Sequence, residues 1–190
     1  MTTMTDGEIL DAMKDGKIEI FPFNPKQLQG CSYDVMRGEW LVLNKNPIHN
    51  PRTWSLRHNA FLLTHTHEFI RVADDIQFKV HTVSTFRREG ADSCASAGFG
   101  DPGYCNRITL EVKHDALEPV AVPRFAIIAQ IEFIQLRRRV LRSYGASHGR
   151  YSKHATIAEA VAAWSPSQML SRGIKAGDTP ADQVQPLHVP

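Results

Sequence analysis

One carboxylate on a predicted strand is well suited to acid–base chemistry. Glu111 stands in Ile108-Thr-Leu-Glu-Val, where it shares a face with Thr109 and Lys113, opposite the apolar positions. A carboxylate held on a rigid strand could take up and return protons as a general acid and base. A solvated carboxylate on the outer face of a strand is the alternative that this pattern leaves open.

A glycine-rich segment precedes that strand. Residues 96–104 read Ser-Ala-Gly-Phe-Gly-Asp-Pro-Gly-Tyr, and the three glycines and the proline predict a tight, irregular turn. Glycine has no side chain to obstruct a ligand, so such a turn can bring backbone groups close to one. Asp101 could cap the turn or bind a ribose hydroxyl. A plain hairpin loop is the alternative.

A third segment combines hydroxyl and guanidinium groups. Residues 83–90 read Val-Ser-Thr-Phe-Arg-Arg-Glu-Gly and follow a predicted strand. Ser84 and Thr85 offer hydroxyls, and Arg87 and Arg88 offer cations, a set that can hold phosphates together with backbone N–H groups. A charged helical turn on the surface is the alternative.

Short apolar runs between turn-forming residues predict the elements that position these groups. Such punctuation is typical of an all-β fold, a sandwich or a jelly roll. The predicted strands are Glu39–Leu43, Ala60–Thr64, Glu68–Val72, Gln77–Thr82, Arg107–Lys113, Val120–Val122 and Ala126–Ile134. We therefore predict a mainly β fold with short helices near its two ends.

Capping patterns indicate those two helices. Thr5 with Glu8 predicts the start of the first, whose inner face would carry Ile9, Leu10 and Met13, and Gly16 can close it in a left-handed conformation. Thr156 with Glu159 predicts the second, Ile157–Trp164. We expect one domain over residues 1–172, followed by a loosely ordered tail, 173–190. The domain divides into an N-terminal helical segment, a β core and a C-terminal lid-like segment, at 1–20, 31–136 and 143–164.

The bulk composition excludes several classes of protein. The 22 basic and 20 acidic residues give a net charge of +2, too balanced for a general nucleic-acid binder. No apolar run approaches the roughly 18 residues of a membrane helix, and the first residues lack a signal-peptide pattern. We expect a cytoplasmic protein with no membrane or nucleic-acid partner.

A zinc-dependent deaminase is also disfavoured. Such enzymes carry an H-x-E motif and a P-C-x-x-C motif, which together supply the zinc ligands and the acid–base group. Here Glu68 follows His67 directly, and Cys105 has no second cysteine at the required spacing. We therefore expect no protein-bound metal site.

Taken together, the segments resemble the dCTP deaminase family of the dUTPase superfamily. The glycine-rich turn is similar to the family's AGxxDPG segment, and the strand with Glu111 to its ITLE segment. Seven segments occur in family order: 6–10, 29–38, 83–88, 97–103, 108–111, 128–130 and 148–151. The resemblance covers about residues 5 to 151.

The resemblance implies a distorted jelly roll that assembles as a homotrimer with active sites between subunits. It implies dCTP as substrate and zinc-independent deamination to dUTP and ammonia, with Mg²⁺ bound only through the nucleotide triphosphate. The implied catalytic residues are Glu111 as acid and base, Ser84, Arg88 and the carbonyl of Ala97. The implied substrate-binding residues are Thr85, Arg87, Asp101, Gly103, Tyr104, Gln130, Arg150 and Tyr151.

Two departures from the family pattern keep other functions open. Val83 stands where the family has a phosphate-gripping arginine, and the Gly/Gln-rich lid after Tyr151 is absent. Arg87 stands where the family has a small residue. The alternatives are a dUTPase, a bifunctional enzyme that continues to dUMP, and a nucleotide-binding homologue without turnover.

Overall fold

The structure is a computed structural model that describes residues 1–50, 52–146, 151 and 154–173. Apart from Gly173, the predicted tail 173–190 lies outside the described residues. The same holds for residues 147–150, 152 and 153 of the predicted lid-like segment. The division of the chain into one domain and a tail stays a prediction.

Within the described residues the chain forms thirteen strands and three α-helices. The strands are β1 Thr2–Thr3, β2 Ile18–Phe21, β3 Leu28–Gln29, β4 Ser32–Leu43, β5 Asn46–His49, β6 Trp54–Leu56, β7 Phe61–Val72, β8 Ile76–Thr82, β9 Ala91–Asp92, β10 Phe99–Gly100, β11 Cys105–His114, β12 Val120–Val122 and β13 Ile127–Gln135. The helices are α1 Asp6–Lys14, α2 Ser84–Arg88 and α3 Ile157–Ala163, with short 3-10 helices at Pro25–Gln27 and Pro166–Met169. The fold is therefore mainly β, as the sequence predicts.

Eleven of these strands form one antiparallel sheet. Its order is β10-β8-β13-β4-β7-β11-β9, while β1 pairs with β13, β2 with β7, and both β3 and β5 with β4. The long strand β4 pairs with β13 through Tyr33–Met36 and with β7 through Arg37–Val42. It changes partner at a register shift, so it joins the two halves of a curled sheet. The strands β6 and β12 form a separate pair.

The first helix largely follows its sequence pattern. Both halves of the predicted capping box between Thr5 and Glu8 are present. Ile9 is fully buried in the core, and Gly16 has the predicted positive φ of 66°. Leu10 is an exception, because it is 38% exposed. Ala12, which the sequence analysis did not single out, is buried instead.

Strand β7 is continuous where the sequence predicted two separate strands. Two of its middle residues, His65 and Thr66, are polar but have partners inside the protein. The Thr66 hydroxyl donates to the carbonyl of Glu68 at 2.7 Å and accepts from the N–H of Ile108 at 3.0 Å. Nδ1 of His65 lies 2.8 Å from the carbonyl oxygen of Thr66. Polar residues with such partners can be buried within a strand and do not end it.

A bulge explains a second difference, in β13. Regular alternation along the predicted strand Ala126–Ile134 would place Ile127 on the same face as Ala129, with Ile128 opposite. The pairing of β13 with β4 shifts register between Ile127 and Ala129. Ile127 is consequently 43% exposed, whereas Ile128 and Ala129 are fully buried.

Candidate active site

A cavity of about 510 Å³ lies against the outer face of β11. Strands β7 and β8, the glycine-rich turn before β11 and the C-terminal segment supply its other walls. Five of the predicted site residues line it: Ala97, Asp101, Tyr104, Glu111 and Tyr151. The structure therefore brings together the carboxylate strand and the glycine-rich turn that the sequence singled out separately.

Glu111 is held by strands on both sides. It pairs in register with Leu63 of β7, and an isolated bridge joins its backbone to Cys94 on the other side. Its side chain is half-buried in the cavity wall. In the part of the chain that the structure describes, no hydrogen bond or ion pair engages its carboxylate. The carboxylate is therefore available to a bound water or ligand.

The glycines of the turn are required by the protein's own packing. A Cβ on Gly100 would lie 2.2 Å from the ring of Phe78, and one on Gly98 would lie 2.5 Å from the carbonyl oxygen of Val80. Gly103 has a φ of 81°, and a Cβ on this residue would lie 2.7 Å from Cβ of Ser143. Gly103 does not line the cavity. Glycine is needed here so that the turn can pack against β8 and the chain after β13.

Tyr104 presents its ring to the cavity rather than its hydroxyl. The hydroxyl donates to the carbonyl of Arg107 at 2.6 Å. The ring packs edge-on against Phe78 and lies 5.6 Å from the ring of Tyr144. Burial raises the pKa of Tyr104 far above its ordinary value, so the phenol stays neutral. Its predicted binding role is thus limited to ring contact.

The predicted phosphate-binding residues lie on α2, away from the cavity lining. Ser84, Thr85 and Arg88 are exposed on this short helix. Arg87 is also exposed, and its Nη1 lies 3.6 Å from a carboxylate oxygen of Asp115. Val83 precedes the helix and packs, partly buried, against the hydrophobic core.

The remaining predicted residues divide between the cavity and other places. Gln130 pairs with Asp34 and His81 in the other half of the sheet and does not line the cavity. Tyr151 does line it, and its carbonyl accepts from Nδ2 of Asn106 at 2.9 Å. Arg150 lies outside the described residues.

Sequence reasoning missed the walls that come from distant segments. Phe61 and Leu63 line the cavity from β7, and Tyr144, Met169 and Ser171 line it from the chain after β13. The alternation of β7 places Phe61 and Leu63 on one face, which was a signal in the sequence. The family resemblance placed a lid-like segment, 143–164, and Tyr151 near the substrate, but nothing in the sequence pattern indicated that Met169 and Ser171 line the cavity.

The cavity carries negative charge within one chain. Among the described residues that line it, Glu111 and Asp101 are carboxylates and none is Lys or Arg. Burial raises the pKa of Asp101. A nucleotide triphosphate is itself an anion, so this lining lacks the cations that its phosphates require.

A buried polar layer lies along β4, β7 and β11. The Glu68 carboxylate, fully buried, accepts from Nε2 of Gln27 at 2.8 Å and from the N–H of Met36 at 3.1 Å. Burial raises the pKa of Glu68 to about 7. For the fully buried His65, burial and then the nearby charge of Arg107 lower the pKa to about 4. His65 is therefore neutral near pH 7.

The curled, mainly antiparallel β fold agrees with the fold that the family resemblance predicts. The chain belongs to the dCTP deaminase-like family, whose model matches residues 3–136. That match includes β1 to β13, Glu111 and the glycine-rich turn, and it ends before the C-terminal wall of the cavity.

Individual relatives agree with this assignment. A protein named "dCTP deaminase, dUMP-forming" from Tropheryma whipplei is 27% identical over 161 residues, which is 75% of this chain and 82% of the relative. A protein of the same name from Bifidobacterium adolescentis is 28% identical over 163 residues, 76% of this chain and 84% of the relative.

One solved structure supports the fold. The 2'-deoxycytidine 5'-triphosphate deaminase from Agrobacterium tumefaciens superposes with a TM-score of 0.58 at 17% identity. The match covers 69% of this chain and 46% of that chain, which is less than half of its length. The predicted mainly β fold of this superfamily is thereby confirmed.

Proposed function

We propose that this protein deaminates dCTP, with Glu111 as the group that moves the protons. The observation that carries the proposal is the unengaged Glu111 carboxylate, which lines one cavity together with Ala97 and Asp101. The relatives whose names state dCTP deamination support the choice of substrate.

The reaction needs one water and two proton transfers. The water oxygen adds to C4 of the cytosine ring while Glu111 takes one of its protons and passes it to N3. Glu111 then moves the remaining hydroxyl proton to the amino group, the bond between C4 and that nitrogen breaks, and ammonia leaves a uracil ring. A positioned acid–base group of this kind accelerates a reaction roughly 100- to 10,000-fold.

The other residues of the site would orient water and substrate. The carbonyl of Ala97 and the hydroxyl of Ser84 would hold the attacking water, and Arg88 would steer Glu111 or bind the nucleotide. Asp101, on the cavity wall, would lie near the sugar. Its carboxylate oxygens can accept a hydrogen bond from a sugar hydroxyl.

We propose that the site is completed by a second copy of the chain, within a homotrimer. Ser84 and Arg88 do not line the cavity of their own chain, and the described lining contains carboxylates without cations. A neighbouring α2 would bring both a hydroxyl and a guanidinium to this face. Homo-oligomers with closed symmetry repeat such a contact at every subunit.

Magnesium would enter with the nucleotide. The described cavity wall offers the carboxylates of Glu111 and Asp101, the hard oxygen donors that suit Mg²⁺, but no set of three ligands. When bound to the triphosphate, the ion would neutralise phosphate charge. We expect a cytoplasmic enzyme whose partners are its nucleotide and its own copies. No helix in the described part of the chain is long and apolar enough to cross a membrane.

The names of the relatives favour a second activity. Both are called dUMP-forming, so the same site could continue from dUTP to dUMP by releasing pyrophosphate. Asp101 is the described residue near the proposed sugar site, so a substitution of Asp101 would test the hydrolysis of dUTP to dUMP.

The decisive assay incubates the protein with dCTP and Mg²⁺ and measures ammonia, pyrophosphate and the nucleotide product. Ammonia with dUTP supports deamination alone, and ammonia with pyrophosphate and dUMP supports the two-step reaction. A parallel incubation with dUTP isolates the hydrolytic step. Pyrophosphate from dUTP without ammonia from dCTP would identify a dUTPase. Release of neither product would favour a nucleotide-binding homologue and would contradict the proposal.

A further inference from the structure

The C-terminal segment leaves the cavity wall and returns to it. Tyr151 lines the cavity, the chain then forms α3 and a 3-10 helix, and Met169 and Ser171 line the cavity again. The guanidinium of Arg172 lies 5.6 Å from the ring centre of Tyr151, so the two ends of the excursion meet. The described part of this excursion, residues 154–171, is here called the C-terminal wall.

Trp164, at the end of α3, docks this wall on the sheet. Its ring lies 4.5 Å from the imidazole of His65, centre to centre, and 4.6 Å from the guanidinium carbon of Arg107. The same guanidinium carbon lies 4.6 Å from the ring centre of Phe69. The cation is thus in contact with two aromatic rings, an arrangement that attracts it to both. Because burial keeps His65 neutral near pH 7, that imidazole does not repel Arg107.

Apolar and polar contacts extend the docking along the wall. Ile157 and Ala160 are buried in a small cluster with Phe69 and Cys105. Nδ2 of Asn106 donates to Oε1 of Gln168 at 2.9 Å as well as to the carbonyl of Tyr151. Nε of Arg71 donates to the carbonyl of Ala155 at 3.0 Å. The partners that receive the wall all belong to β7 and β11 of the same chain.

The wall covers one end of the strand face that carries Glu111. Arg107, Thr109 and Glu111 follow each other at alternate positions of β11, so Arg107 and Glu111 lie roughly 13 Å apart along the strand. Trp164 covers Arg107, and Met169 lines the cavity together with Thr109 and Glu111. The wall therefore borders the cavity beside Thr109, two residues from Glu111.

We propose that residues 154–171 form a fixed wall of the active-site cavity, docked on their own chain before any nucleotide arrives. Trp164 and Gln168 are positioning residues, and Met169 is the residue through which the wall limits what fits beside Glu111. The proposal concerns the same cavity as the proposed function, and its kinetic test rests on that function. The segment thus differs from a lid that becomes ordered over bound substrate.

Hydrogen exchange tests the docking without requiring turnover. Glu111→Gln protein is exchanged alone and with dCTP and Mg²⁺, and the peptides from α3 and the following 3-10 helix are followed by mass spectrometry. A preformed wall predicts the same slow exchange in both samples, because its backbone hydrogen bonds exist without nucleotide. Slow exchange that develops only after nucleotide is added would overturn the proposal. This result is obtained whether or not the natural protein releases ammonia.

Steady-state kinetics test the positioning role. Trp164→Ala and Gln168→Ala should each raise KM for dCTP about tenfold, equivalent to about 1.4 kcal/mol of lost binding free energy. We expect kcat to change less than about threefold, because Glu111 is untouched. Trp164→Phe keeps a ring over Arg107 and should retain most of the affinity that Trp164→Ala loses. Met169→Leu should likewise retain most of the affinity that Met169→Ala loses. Val161→Ala, on the exposed face of α3, is the matched control.

The outcomes separate positioning from general stability. If Trp164→Ala does not fold, Gln168→Ala carries the test, since it removes one hydrogen bond to Asn106 and leaves the aromatic contacts. If the natural protein releases no ammonia, calorimetric titration of the same variants with dCTP replaces KM. An unchanged KM, or unchanged dCTP affinity, in a folded Gln168→Ala variant would contradict the proposal. A change shared equally by Val161→Ala would contradict it as well.

Discussion

The two halves of the predicted site differ in whether their residues line the cavity of their own chain. Glu111, Ala97 and Asp101 meet in a single cavity, although Ala97 lies in the loop before β10 and Glu111 lies on β11. Ser84 and Arg88 lie exposed on α2 and do not line that cavity. The first half is assembled inside the chain, whereas in the proposed trimer the second half reaches the reaction from another copy of the chain.

The two halves also differ in charge. The described residues of the cavity half contribute carboxylates, while α2 contributes two arginines, of which Arg87 pairs with Asp115 of its own chain. An anionic substrate would therefore be attracted to the place where the halves of two subunits meet. Variants in each half can be used to break or sharpen this comparison.

The largest effect is expected in the cavity half. Glu111→Gln keeps the shape of the side chain but removes proton transfer, so ammonia release should fall about 100- to 10,000-fold. Calorimetric titration should show nearly unchanged dCTP binding. Glu118→Gln, an exposed glutamate beyond the same strand, is the control. A Glu111→Gln variant that kept more than about a tenth of the rate would rule out Glu111 as the catalyst, since that loss is too small for a general acid–base group.

The two arginines of α2 should differ from each other. Arg88→Ala should lower kcat/KM on the order of 10- to 100-fold, because a charge-assisted contact to substrate contributes about 1.5–3 kcal/mol. Arg87→Ala should change it less than about threefold, since its exposed ion pair with Asp115 contributes little. Measuring ammonia release for both variants tests the assignment. Equal losses, or a larger loss for Arg87→Ala, would mean that Arg88 is wrongly assigned to the site.

Val83 tests whether the second half binds phosphate as the family pattern implies. Its side chain packs partly buried against the core, so Val83→Arg should overpack that region and destabilise the fold by about 1–3 kcal/mol. The affinities for dCTP and dCMP should change equally, which titration of both ligands measures. Val83→Met, which adds length without charge, is the control. Selective tightening for dCTP that weakens with added salt would instead place residue 83 beside the distal phosphates.

The smallest effect on activity is expected for Glu68, in the buried layer along the strand that supports the cavity. Its folded pKa of about 7 lies above the ordinary value of 4.5, so its contribution to stability is present below about pH 4.5 and is lost as pH rises through 7. Glu68→Gln should be more stable than the natural protein at pH 8 by up to about 3 kcal/mol, with little advantage at pH 5.

Urea unfolding at both pH values measures the effect of Glu68→Gln, and ammonia release should stay close to that of the natural protein. His65 contributes in the opposite direction, because its lowered pKa makes the fold gain stability as pH rises from about 4 to 6.5. The free energy of unfolding of Glu68→Gln should therefore rise more clearly over that pH range than that of the natural protein. A variant less stable than the natural protein at pH 8 would mean that the ionised carboxylate is favourably held.

The comparison also explains what the sequence could predict. The alternation around Glu111 and the turn before it specified a strand and a loop correctly, because each depends on neighbouring residues. The burial of His65 and Thr66 within β7, and the bulge beside Ile127, depend on partners elsewhere in the sheet and could not be seen in local patterns. The wall formed by Met169 depends on the docking of Trp164, for which the sequence carried no local signal.

The division of the site between copies can be tested most directly by complementation. Glu111→Gln and Arg88→Ala chains are unfolded, mixed in equal amounts, refolded together and assayed for ammonia release from dCTP. Each variant alone should be poorly active. If one subunit supplies Glu111 and its neighbour supplies Arg88, random assembly should restore about a quarter of the sites, and with them about a quarter of the natural activity. A mixture no more active than the better of the two variants would contradict an active site shared between subunits.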